Sequence, residues 1–118
     1  EIGSRFYLHA RNQADGLLHV LKQHFPKYGE TNKPERFHIV GEREVNNLEM
    51  AQMIADAVGK PLKYRLEDFH SSRPGHDLRY ALDGTKISDT GWKSPIPLED
   101  SIRKTVAWTL AHPEWLKL

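Results

Sequence analysis

The residues of this chain best suited to chemistry are gathered in one short run, Ser72-Arg73-Pro74-Gly75-His76-Asp77-Leu78-Arg79-Tyr80. Two arginines, a histidine and an aspartate surround a Pro-Gly pair. Pro74 fixes its own φ and biases Arg73 toward an extended backbone, and Gly75 permits the sharp reversal that follows. A rigid loop of this kind can aim a guanidinium and an imidazole at one point in space. Fixed cations on a pre-set turn suit a phosphorylated or otherwise anionic ligand. By themselves, the nine residues fit a surface turn with solvated charges equally well.

Other chemistries lack their residues. There is no cysteine, which excludes disulfides and thiolate metal sites and fits a reducing compartment. Of seven histidines, His19 and His24 fall on one predicted helix but five apart, not at the i, i+4 spacing that brings two imidazoles together. His9 and His38 alternate with apolar neighbours. No metal is expected. No serine sits in a GxSxG turn, and no two glycines stand at GxG or GxxG spacing, so a dinucleotide fingerprint and a P-loop are both missing. Tyr7, Tyr28, Tyr64 and Tyr80 are followed four residues later by Arg11, Asn32, Asp68 and Gly84, so none has the lysine that would lower its pKa for base work. No residue is expected to be catalytic.

What remains is a binding constellation. Arg5 opens a strand, Asn47 begins a helix after a Gly-containing loop, and Arg73 and His76 occupy the rigid turn. Arginine offers a bidentate fork to phosphate oxygens, and a helix N-terminus adds oriented N–H groups. Each also has a plain structural reading: Arg5 as a strand-edge charge, Asn47 as a cap.

The elements that must position these residues follow from periodicity and caps. A strand is predicted over Arg5-Phe6-Tyr7-Leu8-His9. A helix follows over about Asn12 to Phe25, capped by Asn12, with Ala14, Leu17, Leu18, Leu21 and Phe25 as its buried stripe and Pro26 as its stop. Lys27 to Glu35 reads as a surface loop, and Arg36 to Val40 as a strand closed by Gly41. The second helix is capped by Asn46 or Asn47, with Glu49 in capping-box spacing, Met50, Ala51, Ile54, Ala55, Ala57 and Val58 as its inner face, and Gly59 as its stop. Lys63 to Leu66 is a candidate strand, and Arg79 to Leu82 an extended piece. Asp83 caps a brief helix over Lys86 to Thr90, stopped by Gly91, and a last helix covers Leu98 to Ala111 before Pro113. The order β-α-β-α-β-loop-α-α indicates a small α/β domain.

Composition narrows the partners. At 118 residues the chain holds one small domain, and 38% hydrophobic with 28% charged residues is ordinary for a soluble protein. Seventeen basic residues against sixteen acidic give a formal charge of +1, with no broad footprint for nucleic acid or an anionic membrane. A helical nucleic-acid binder therefore fits poorly, and any anion site must be local. No apolar run approaches the ~20 residues that span a bilayer. A cytoplasmic location is expected. The abrupt opening from Glu1 into a strand reads as a fragment of a longer protein.

The run from Phe37 to Trp108 resembles the C-terminal portion of the extended short-chain dehydrogenase/reductase family of nucleotide-sugar enzymes (the NAD-dependent epimerase/dehydratase group), and within it the dTDP-glucose 4,6-dehydratase type. The resemblance is carried by Ile39-Val40-Gly41 through Asn47-Leu48-Glu49, by Arg73 to Asp83 (RPGHDLRYALD), by Lys86-Ile87 with Gly91-Trp92-Lys93, and by Leu98 to Trp108. Ahead of it, Arg5 to His9 resembles the family's arginine-containing strand. The resemblance implies a substrate-binding lobe, residues 1–118 as a single fragment, from which the N-terminal NAD-binding Rossmann portion is absent. It implies that Arg5, Asn47, Arg73 and His76 hold the diphosphate of a nucleotide-diphosphate sugar. It further implies that NAD, bound by the missing portion, oxidises the sugar at C4, that water is lost across C5 and C6, and that the hydride returns to C6. The catalytic Tyr/Lys pair and the cofactor loop would lie in that portion, leaving this fragment inactive alone. The sister readings are an epimerase or decarboxylase lobe and a non-catalytic interaction module. The complete protein is expected to be a homodimer, and the fragment to self-associate or be marginally stable. One departure stands out: where the family's first strand runs into an aspartate-containing turn, this chain has His9-Ala10-Arg11-Asn12.

Overall fold

Capping side chains set the helix boundaries of this small α/β chain. A computed structural model describes residues 2–23, 33–68, 71 and 74–117. In chain order these form β1 (Ser4–Phe6), α1 (Ala10–Lys22), β2 (Glu44–Asn46), α2 (Asn47–Val58), β3 (Arg79–Tyr80), α3 (Thr85–Asp89), α4 (Leu98–Ala111) and a 3-10 turn (Pro113–Leu116). Asn46 caps α2, its Oδ1 accepting from the Glu49 N–H at 2.8 Å, and Gly59 closes the helix in the left-handed region, as the spacing predicts. Helix α4 has the predicted bounds. Pro97 offers its N-terminus no side-chain acceptor, so Glu42 reaches in, Oε2 accepting from the Leu98 N–H at 2.9 Å. Gly84, and not Asp83, is the N-cap of α3; Asp83 stands one residue further out, accepts from the Thr85 N–H at 2.9 Å, and the helix starts one residue earlier than expected.

Helix α1 corrects the sequence reading twice. Its cap is His9, whose Nδ1 accepts from the Arg11 N–H at 3.0 Å, and not Asn12. It ends at Lys22 with Gln23 as C-cap, while Phe25 and Pro26 lie outside the described residues. The expected buried stripe is also reversed. Ala14, Leu17, Leu18 and Leu21 face outward, Leu21 at 78% exposure, and the buried residues are Asn12 and Gly16. The helix docks by polar bonds. Asn12 donates from Nδ2 to the Ile96 carbonyl at 2.8 Å and accepts from the Ile96 N–H at 3.3 Å. Asp15 accepts from Trp92 Nε1 at 2.8 Å, and the His19 ring lies 2.8 Å from the Thr90 hydroxyl. Positions 12, 15, 16 and 19 share one face at helical spacing.

The sheet has three strands in the order β2-β1-β3. β1 is antiparallel to β2, with Ser4 opposite Asn46 and Phe6 opposite Glu44, and parallel to β3, with Arg5 opposite Tyr80. The first strand is shorter than Arg5 to His9, and the segments Arg36 to Val40 and Lys63 to Leu66 are not strands. Strand-forming residue types need a ladder partner, and these two segments have none among the described residues. Ile39 instead packs on Gly16, and Val40 on Gly84. Gly41 lies so close to β1's continuation that a Cβ there would stand 2.2 Å from the Tyr7 carbonyl oxygen. Only glycine allows that approach.

The core is small. Val45, Met50 and Leu98 are buried together, with Tyr7, Met53 and Ile102 packed against them, so α2 lies on α4 beneath β2. Ile87 and Trp92 are also buried. Ile54, Trp108, Leu110 and Trp115 remain exposed. The radius of gyration is 17.9 Å, against roughly 13.5 Å for a compact chain of this length. Among the described residues, no helix is long and apolar enough to cross a membrane.

If polar docking seats α1, Asn12→Ala leaves the two half-buried backbone groups of Ile96 without this partner and costs about 1–3 kcal/mol. Leu17→Gln, on the outward face, shifts stability by less than about 0.5 kcal/mol. Urea unfolding followed by tryptophan fluorescence compares the two, and equal effects would contradict this docking.

Candidate functional site

Strand alternation sorts the side chains around β1. Arg5, Val45 and Tyr80 share one face of the sheet, and Ser4, Phe6, Glu44 and Arg79 the other. On the first face, the Arg5 guanidinium stacks over the Tyr80 ring, 4.3 Å from its centroid. Arg5 Nη1 donates to the carbonyls of Ser4 at 2.6 Å and Leu78 at 3.2 Å, and Nη2 to that of Asp77 at 3.4 Å. The Leu78 carbonyl also accepts from the Ser4 N–H at 3.0 Å. The segment after the Pro-Gly turn is thereby tied to β1 by both main chain and side chain.

Asn47 is the first residue of α2. Its N–H donates to the Gly3 carbonyl at 2.8 Å, and its Oδ1 accepts from the Tyr7 hydroxyl at 3.2 Å. Oδ1 is thus engaged, while the Nδ2 end of this exposed side chain keeps its donors beside the positive end of the helix. His76 is exposed on the turn, next to Asp77 and one residue after Gly75, whose φ of +81° makes the expected reversal. Of the four residues singled out by sequence, Arg5 and Asn47 meet at the start of β1, and His76 adjoins the residue whose carbonyl holds Arg5. Arg73, with Ser72, lies outside the described residues.

The opposite face holds a charged strap that sequence reasoning missed. Glu44 takes Arg79 bidentately, Nε at 2.6 Å and Nη2 at 2.9 Å, and accepts from the Ser4 hydroxyl at 2.5 Å. Arg79 hydrogen bonding first, and Ser4 second, lower the Glu44 pKa to about 2, and the same pair raises that of Arg79. Arg79 therefore binds across the sheet from β3 to β2, and is not the loop's second ligand-facing cation. Arg43 joins Glu49 at 2.5 Å to Glu99 at 2.9 Å, linking the first turns of α2 and α4. The signal was visible in outline: three alternating charges, Glu42-Arg43-Glu44, stand one residue before a helix cap.

Arg5 and Tyr80 also line a cleft of about 280 Å³, with Phe6, Ile39 and Leu82. It adjoins a larger one of about 420 Å³ that shares Phe6 and Leu82 and reaches Trp92 and Lys93. The Tyr80 phenol is pushed above its ordinary pKa, chiefly by its hydrogen bond to the Asp77 carboxylate, the opposite of what proton abstraction needs. The site can bind and orient an anion.

No family model matches the chain. Curated proteins do. It is 37% identical over 119 residues to a dTDP-glucose 4,6-dehydratase of Shigella flexneri, covering 96% of this chain and 31% of that protein. The dTDP-glucose 4,6-dehydratase of Salmonella typhimurium is 38% identical over 118 residues, covering 95% and 31%. Among solved structures, the dTDP-glucose 4,6-dehydratase of Bacillus anthracis in complex with NAD aligns with a TM-score of 0.70 at 24% identity, over 97% of this chain and 33% of that one. At that identity the structural match speaks to the fold. The chain spans about a third of the length of these relatives.

The Glu44 strap has a pH signature. A carboxylate whose folded pKa is lowered contributes stability that is fully present above its unfolded pKa and is lost as pH falls toward the folded value. From 4.5 down to about 2, the chain should lose stability, and Glu44→Gln should make that decline shallower. Urea midpoints measured across this range give the comparison, and parallel profiles would show that the strap contributes nothing.

Proposed function

We propose that this chain, a homologue of about one third of the dTDP-glucose 4,6-dehydratases, is the part of such an enzyme that grips the diphosphate of the nucleotide-sugar. What supports the reading is the convergence of a caged arginine, a helix-terminal amide and a histidine-bearing turn on one end of β1. Arg5 and Arg73 supply positive charge, Asn47 donates from Nδ2, and His76 lies beside the nucleotide.

NAD does not fit the residues of this chain. The junction of β2 and α2 is filled by the Asn46 side chain, hydrogen-bonded to the Glu49 N–H, where a pyrophosphate would need bare N–H groups and a glycine turn. The relatives' additional two thirds of length is where we place the cofactor and the proton-transferring residues. The 118-residue chain binds without turnover.

The outward leucines of α1 support self-association of the isolated chain. Sedimentation should show concentration-dependent oligomers, reduced in a Leu18→Gln/Leu21→Gln variant. A monodisperse monomer at all concentrations would contradict this.

The ligand reading is tested by titrating the chain with thymidine diphosphate while following its amide and side-chain NMR signals. Shifts should cluster at Arg5, Asn47 and His76. Losing one charged hydrogen-bonding partner costs about 1.5–3 kcal/mol, so Arg5→Ala or Arg73→Ala should weaken binding about 10- to 150-fold. No binding by the wild-type chain would remove the proposal. In a complete enzyme carrying this segment, with NAD, dTDP-glucose should yield a 4-keto-6-deoxy product. An epimerised sugar nucleotide would point to the sister reading.

A further inference from the structure

We infer that Tyr80 is the positioning residue for Arg5, and that the Asp77 carbonyl ties the resulting clip to the turn. The inference rests on the reading of Arg5 as a diphosphate ligand. Arg5 and Tyr80 are direct partners in the β1–β3 ladder, so their side chains must leave the sheet side by side. Tyr80 is 50% exposed, and filling the core does not account for its ring. Its ring instead lies against the Arg5 guanidinium at 4.3 Å.

The donor count shows what this does. A guanidinium has five N–H donors. Both on Nη1 go to the carbonyls of Ser4 and Leu78, and one on Nη2 goes to that of Asp77. Leu78 and Asp77 are consecutive, so their carbonyls occupy the end formed by Nη1 and Nη2. Among the described residues nothing takes the Nε–H and the remaining Nη2–H, which stand together on one edge, a fork that matches two oxygens of a phosphate. The three backbone bonds fix the guanidinium plane from its rim, and the tyrosine supports one face.

Asp77 connects this to the turn. Its carbonyl accepts from Arg5 Nη2 at 3.4 Å. The residue after His76 therefore helps hold the guanidinium that Tyr80 supports from one face. Moving the turn disturbs the aim of Arg5, and loss of Tyr80 removes the support of its face.

A double-mutant cycle with thymidine diphosphate as probe tests this in the 118-residue chain. Tyr80→Leu keeps apolar bulk and removes the π face, and should weaken binding about 5- to 30-fold. Tyr80→Phe keeps the ring and should recover much of that loss. In an Arg5→Ala background, Tyr80→Leu should cost nothing further, a non-additivity that a merely structural role would not produce. Additive losses, or a Tyr80→Leu variant that binds like wild type, would overturn the inference. A second measurement needs no ligand. In spectra of 15N-arginine-labelled chain, Arg5 should show slowly rotating, separate Nη–H signals that merge in Tyr80→Leu. If wild type binds no thymidine diphosphate but these signals depend on Tyr80, the ligand reading fails and the clip stands. Merged signals in wild type would overturn the clip itself.

Discussion

Strand β1 is three residues long, and almost everything else hangs on it. The Gly3 carbonyl just ahead of it accepts from the first N–H of α2, and the Ser4 N–H donates to the Leu78 carbonyl. Its two edges carry β2 and β3 in opposite directions. A sheet of such short strands has little stability by itself, so side chains must reinforce the ladder. They do so on both faces, with Glu44, Ser4 and Arg79 strapped on one and Arg5, Tyr80 and Asp77 clipped on the other. The candidate binding site is built from the same bonds that hold the sheet together.

The ion pairs act mainly by placement. Exposed pairs are individually worth little, because water screens them and long side chains lose entropy in forming them. Their geometry matters more here. Glu42 completes the N-terminus of α4, Arg43 brackets the first turns of α2 and α4, and Glu44 crosses to Arg79. Three consecutive residues thus set the positions of two helices and an edge strand relative to β1. The buried cluster of Val45, Met50 and Leu98 then closes beneath them.

Helix α1 shows why amphipathicity does not by itself say which way a helix faces. Its leucines point outward, and it is held by Asn12, Asp15 and His19. Asn12 is on this inner face, and its side chain makes two bonds to Ile96.

Local chemistry was legible in the sequence. The Asn46–Glu49 cap, the Gly59 stop, the bounds of α4 and the reversal at Gly75 each depend on a few neighbouring residues, so reading those residues was enough. The choice of Arg5, Asn47 and His76 as a group came from residue type and family pattern. Pairing across long sequence separation was not legible. Arg36 to Val40 has strand-forming residues and no ladder partner among the described residues, while the charged Glu44–Asn46 segment is a strand because Ser4–Phe6 lies beside it. The same limit hid the separate fates of two arginines: Arg79, after the turn, is taken by Glu44, thirty-five residues away, and Arg5, on β1, is caged by carbonyls more than seventy residues on. Which side chains are spent on the fold and which are left for a ligand is decided by those distant contacts, and only the tertiary structure makes them.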